Sequence, residues 1–125
     1  MARPTKNHAF LGRWRILETA VWDCDALDLL VPAHITFGRD GLGEMQLIAI
    51  GASVDYRVVA RGSVPHVEFS WSGHDDSASS CGRGWARLDG EKLVGELFIH
   101  QGDDTTFVAM QDAKEPGSKR RRRAF

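Results

Sequence analysis

Phe37-Gly38-Arg39-Asp40-Gly41-Leu42 is the stretch on which the fold turns. Gly41 suits the left-handed position of a type I turn closed by a bulge, so the chain reverses here. Pairing Gly38 with Leu42 sets Phe37 against Gly43, Ile35 against Met45 and Ala33 against Leu47 on one face. The other face receives Thr36 with Glu44 and His34 with Gln46. Slipping to a two-residue Asp40-Gly41 turn would set Phe37 against Glu44 and Ile35 against Gln46, mixing apolar with polar. The bulged turn is therefore expected.

Outward from this hairpin the same period-two pattern recurs between turn signals. Eight strands are expected, at Gly12–Ala20, Ala33–Phe37, Leu42–Ile50, Ser53–Arg61, Val64–Trp71, Cys81–Leu88, Glu91–His100 and Thr105–Gln111. A single helix fits Asp23–Leu30, with Asp23 as N-cap and Pro32 as terminator. Alternation gives the inner face to Trp14, Ile16, Val54, Tyr56, Val58, Val67, Phe69, Trp71, Phe107 and Ala109. Eight strands with short connections predict an antiparallel up-and-down barrel with one short helix after the first strand. A two-sheet sandwich satisfies the same alternation.

The chain has 125 residues, 42% of them apolar and 26% charged, the balance of one globular domain. Residues 1–112 are expected to form that domain, with a short arm at 1–9. The segment 113–125 reads as a basic, disordered tail. Lys119–Arg123 supplies five positive charges against a net charge of −1, so the remainder is acidic. That run offers only a weak suggestion of nucleic-acid contact, since its one aromatic neighbour is Phe125. No stretch reaches the ~18 apolar residues of a membrane helix, and Met1–Phe10 lacks a leader's apolar core. Two cysteines, Cys24 and Cys81, make no disulfide framework. The expected compartment is the cytoplasm.

Gly12-Arg13-Trp14, opening the first long strand, resembles the Gly-x-Trp signature of the calycins, the lipocalin-like and avidin-like barrels. The resemblance implies that Trp14 closes one barrel end and that a small apolar ligand is held inside. Trp22-Asp23, Val67-Glu68-Phe69-Ser70-Trp71 and Gly82-Arg83-Gly84-Trp85 are also similar to a group of uncharacterised small bacterial proteins, across most of the chain. That similarity implies no particular activity.

In such a meander, the connections after odd-numbered strands share one end. They carry Asp23, Asp25 and Asp28, then His74, Asp75 and Asp76, then His100, Asp103 and Asp104. An acidic rim follows, read as a mouth for a cationic or partly apolar ligand, a docking edge for a basic protein partner, or solvated loops. The His/Asp spacings match no standard metal set, so no metal is expected. The ligand-binding candidates are Trp14, Glu18, Tyr56, Phe69, Trp71, Arg83 and Trp85. Glu18 shares a face with Trp14 and Ile16, so inside a barrel it needs a partner such as Arg83 or Tyr56. Gly82, Gly84 and Gly95 leave space for either a ring or a ligand. No serine-hydrolase, Walker, Rossmann or zincin pattern is present, and no catalytic residue or cofactor is expected. The function expected is small-molecule binding through an aromatic-lined pocket with an Asp-rich mouth. The alternative is an interaction module that sets the acidic rim against a basic protein.

Overall fold

The computed structural model describes residues 9–112. Most of the N-terminal arm and the whole 113–125 segment, including Lys119–Arg123, lie outside the described residues. Eight strands run β1 (Gly12–Thr19), β2 (His34–Phe37), β3 (Leu42–Leu47), β4 (Ile50–Arg61), β5 (Val64–Asp75), β6 (Ala78–Asp89), β7 (Lys92–Ile99) and β8 (Asp104–Gln111). Each pairs antiparallel with the next, and β1 pairs with β8, which closes an all-β up-and-down barrel. This architecture is consistent with a calycin-like fold. Closure satisfies the edge groups that an open sheet would leave unpaired.

The deciding hairpin has the expected register, with Ile35 opposite Met45 and Phe37 opposite Gly43. Gly41 sits at φ +82° and Gly38 N–H donates to Leu42 O at 2.8 Å. Gly41→Ala is therefore expected to cost about 1 kcal/mol through left-handed strain, measurable by urea denaturation. The same turn is pinned from inside, because the Tyr56 hydroxyl donates to Gly38 O. Burial, and secondarily the negative charge of Asp40, raise the Tyr56 phenol above its ordinary value of 10.0. A raised folded-state value favours the neutral phenol. Its contribution is whole below pH ~10 and is lost as pH climbs through the folded-state value. Tyr56→Phe should cost about 1 kcal/mol at neutral pH and flatten the alkaline loss of stability, both read from denaturation midpoints against pH.

Four local features depart from the expected boundaries, each for a visible reason. The helix, α1, is a single turn at Cys24–Leu27 rather than Asp23–Leu30. Asp23 caps it as expected, accepting from Ala26 N–H at 2.9 Å. It stops because Asp28 is recruited elsewhere, accepting from Ala33 N–H at 2.8 Å and from Arg15 at 2.7 Å. The Leu42–Ile50 run breaks at Ile48-Ala49, where Ile48 adopts φ +48° with its N–H donating to Leu27 O at 2.8 Å. No glycine or asparagine marks that turn, and tertiary bonding holds a β-branched residue where it seldom sits. β5 and β6 run past the expected Trp71 and Cys81 to a tight turn with Asp76 at φ +61°.

The fourth departure matters most. β1 pairs Ile16 with Ala109 and Glu18 with Val108, so Leu17 is an extra, bulged residue. Beyond it the alternation inverts. Thr19 pairs with buried Phe107, and Glu18 is exposed on the outside. The expectation of an interior Glu18 is thereby corrected: the bulge turns it out of the core, and its carboxylate needs no buried partner.

The core fills the barrel. Trp14, Phe37, Tyr56, Phe69, Trp71 and Phe107 are all buried among aliphatic side chains. Trp14 donates its indole N–H to Phe10 O at 2.9 Å, and both residues are buried where β1 begins. The glycines of β6 make room for rings: a Cβ on Gly84 would lie 2.3 Å from Phe69 Cζ, and one on Gly82 would lie 2.8 Å from Trp71 Cζ2. That space is occupied by side chains of the chain itself.

Candidate functional site

A closed barrel with a buried aromatic cluster is compatible with ligand binding. The seven ligand-binding candidates, however, divide between its two faces. Trp14, Tyr56, Phe69 and Trp71 point inward and are buried. Arg83 and Trp85 alternate with the inward Gly82, Gly84 and Ala86, so they stand outside, as does Glu18. No interior pocket collects all seven. The sequence signal for β6 was its tryptophan, which attracts assignment to the core. The register instead sets Gly84 against Phe69 and Trp85 against Glu68.

The outside of the β4–β7 wall has its own organisation. Antiparallel pairing aligns Leu42, Asp55, Ser70, Arg83 and Phe98 in one transverse row over five strands. The next row toward the Asp-rich end is Ser53, Ser72 and Cys81. These side chains are small, whereas Leu42 and Phe98 flank them on β3 and β7. A trough of about 700 Å³ results, lined also by Val54, Trp71 and Gly82 of the intervening inward positions. It continues toward Arg61, Glu68 and Trp85 as a recess of about 380 Å³, and toward His74 and His100 as one of about 710 Å³. Arg83 lies at the junction of the first two.

Neighbouring charges in the row beyond are already spoken for. Glu68 pairs with Arg61 and, at 3.6 Å, with Arg57. Trp85 donates its N–H to Glu96 at 3.0 Å, and its ring lies 5.5 Å from that of His66. Among the described residues, Asp55 and Arg83 have no ion-pair partner. Leu42, Ser53, Asp55, Ser70, Ser72 and Phe98 were not candidates from sequence. Their only signal is outward alternation of short hydroxyl residues, which reads equally well as an ordinary solvated face.

The meander brings the three acidic segments to one end, where Ile48 N–H donates to Leu27 O and Asp76 N–H to Ala49 O. Asp23 and Asp28 are committed there to capping and bracing. Asp25, Asp75, Asp76, Asp103 and Asp104 are exposed, as are His74 and His100. Among the described residues, no group of three His, Cys, Asp or Glu is arranged to hold a metal ion. Cys24 and Cys81 are free and exposed. No described helix is long and apolar enough to cross a membrane. Leu17, Val21, Leu29, Leu30 and Val31 are five of the seven exposed large hydrophobics among the described residues, so exposed apolar surface concentrates around α1. The chain matches no protein-family model, no curated protein and no solved structure.

Proposed function

We propose that this protein is a small-molecule-binding β-barrel whose ligand lies against the outside of the β4–β7 wall. The observation that carries the reading is the trough between Leu42 and Phe98, about 700 Å³ in volume, with two opposite charges in its walls that have no ion-pair partner among the described residues. Ligand sites typically combine apolar walls with a few convergent polar groups at roughly this size. The filled interior supports an outer site, because Trp71 and Phe69 already occupy the space left by Gly82 and Gly84. Among the expected residues, Arg83 and Trp85 then serve as ligand contacts, while Trp14, Tyr56, Phe69 and Trp71 form the rigid frame beneath. The calycin resemblance supports a binding role, with the ligand moved from the lumen to the wall. The exposed His74 and His100 border the trough's extension toward the Asp-rich end.

Benzyl alcohol, titrated while backbone amide resonances are followed, tests this. Shifts should concentrate at Ser53, Ser72, Cys81 and Phe98 and should shrink in Phe98→Ala. Shifts centred on Trp14 and Phe69 would place the ligand inside and defeat the reading.

A second reading rests on the exposed apolar side chains around α1. Leu29 and Leu30 are 62% and 63% exposed on the connection that also carries the exposed Asp25, which suits a basic amphipathic protein segment. A Leu/Arg-rich peptide should bind in a salt-sensitive way, and Leu29→Ser with Leu30→Ser should abolish it. Binding that survives the double substitution counts against this docking edge.

A further inference from the structure

The transverse row Leu42–Asp55–Ser70–Arg83–Phe98 presents an order of chemistry: apolar, acid, hydroxyl, base, aromatic. Adjacent strands lie about 4.8 Å apart, so the Asp55 and Arg83 backbones are held roughly 10 Å from each other. Ser70 stands between them. The rigid ladder thus keeps two opposite charges apart that would otherwise neutralise each other across one strand spacing. The surrounding ion pairs leave both available, since Glu68 is taken by Arg57 and Arg61. An arginine fork and a carboxylate facing one hollow are complementary to a molecule carrying both a carboxylate and an ammonium.

We propose that the trough binds a small zwitterion of the amino-acid class with an apolar side chain. Its carboxylate takes the Arg83 guanidinium, its ammonium takes Asp55, and its side chain lies against Phe98. This rests on the outer-trough reading and specifies its ligand. Discrimination comes from both charges together. A ligand lacking its ammonium leaves the Asp55 carboxylate desolvated without a partner, and a ligand lacking its carboxylate does the same to Arg83. Salt should weaken the interaction, because both contacts are partly open to solvent.

The experiment compares L-phenylalanine with N-acetyl-L-phenylalanine and L-phenylalaninamide, titrated against the full chain with amide resonances as the readout. L-Phenylalanine should bind at least fivefold more tightly than either blocked form. Asp55→Asn should erase its advantage over the N-acetyl form alone, and Arg83→Gln its advantage over the amide alone. Both residues are exposed strand positions, and unchanged melting temperatures would confirm that the variants fold. Equal binding of all three compounds, or ratios that persist in both variants, would overturn the proposal. Benzyl alcohol separates the two levels of inference. If it shifts the trough residues while the zwitterion does not, the ligand class is wrong and the trough stands. If neither shifts them, both fall.

Discussion

Replacing Trp71 by alanine should remove about 3–5 kcal/mol of stability, enough to unfold much of a marginal domain at 37 °C. Trp71 is 2% exposed and lies over Gly82, where no side chain is present to move into the vacated volume. The strands around it are tied into a closed ladder, so the wall cannot collapse inward, and the cost should sit in the upper part of that range. A second substitution removes the same polar atom but keeps a ring. The Trp71 indole N–H is buried with no hydrogen-bond partner among the described residues. An unsatisfied buried donor costs about 1–3 kcal/mol. Trp71→Phe deletes that donor while keeping most of the apolar volume, so it should cost less than ~1.5 kcal/mol. Urea denaturation of both variants checks the pair, and since both delete the donor, equal losses would show that the ring volume kept in Trp71→Phe carries none of the stability.

The converse substitution, Gly84→Ala, should destabilise by about 2–3 kcal/mol through overpacking. Its Cβ would meet Phe69 Cζ at 2.3 Å and Glu96 O at 2.8 Å. The ring can be replaced but the carbonyl cannot. Phe69→Leu introduced into Gly84→Ala should therefore recover part of the loss and leave a remainder set by the backbone contact. A double-mutant cycle measures that split, with a coupling of about 1 kcal/mol or more expected for residues in direct contact. Strict additivity would mean that Phe69 is not what excludes a side chain at position 84.

Both results concern the inner face, which was largely legible in the sequence. Period-two alternation marked Val54, Tyr56, Phe69 and Trp71, and the Gly41 turn fixed the β2–β3 register, because in each case local preference and burial agree. Glu18 shows where that logic stops. A bulge inserts one residue without any distinctive side chain, Leu17 here, and every assignment after it inverts. Ile48 likewise turns the chain through bonds to Leu27 rather than through its own preference. The outer trough was the least legible feature of all. It depends on which residues of β3 to β7 lie abreast, and that alignment emerges only once all the intervening registers are set. Serines at alternate positions carry no such information by themselves.

Seven of the eight strand pairings join neighbours in the chain through short turns or, between β1 and β2, one longer connection. The pairing of β1 with β8 alone joins opposite ends of the domain, and it contains the Leu17 bulge. Local hairpins form quickly, whereas the final pairing must close a loop of nearly the whole chain. Until that seam zips, two edges and one side of the aromatic core face the solvent together. An open seam is also a template on which the same two strands from another molecule can pair. Closure therefore guards against exchange of strands between copies, and the seam is the one pairing of the barrel that no turn or connection between consecutive strands holds in register.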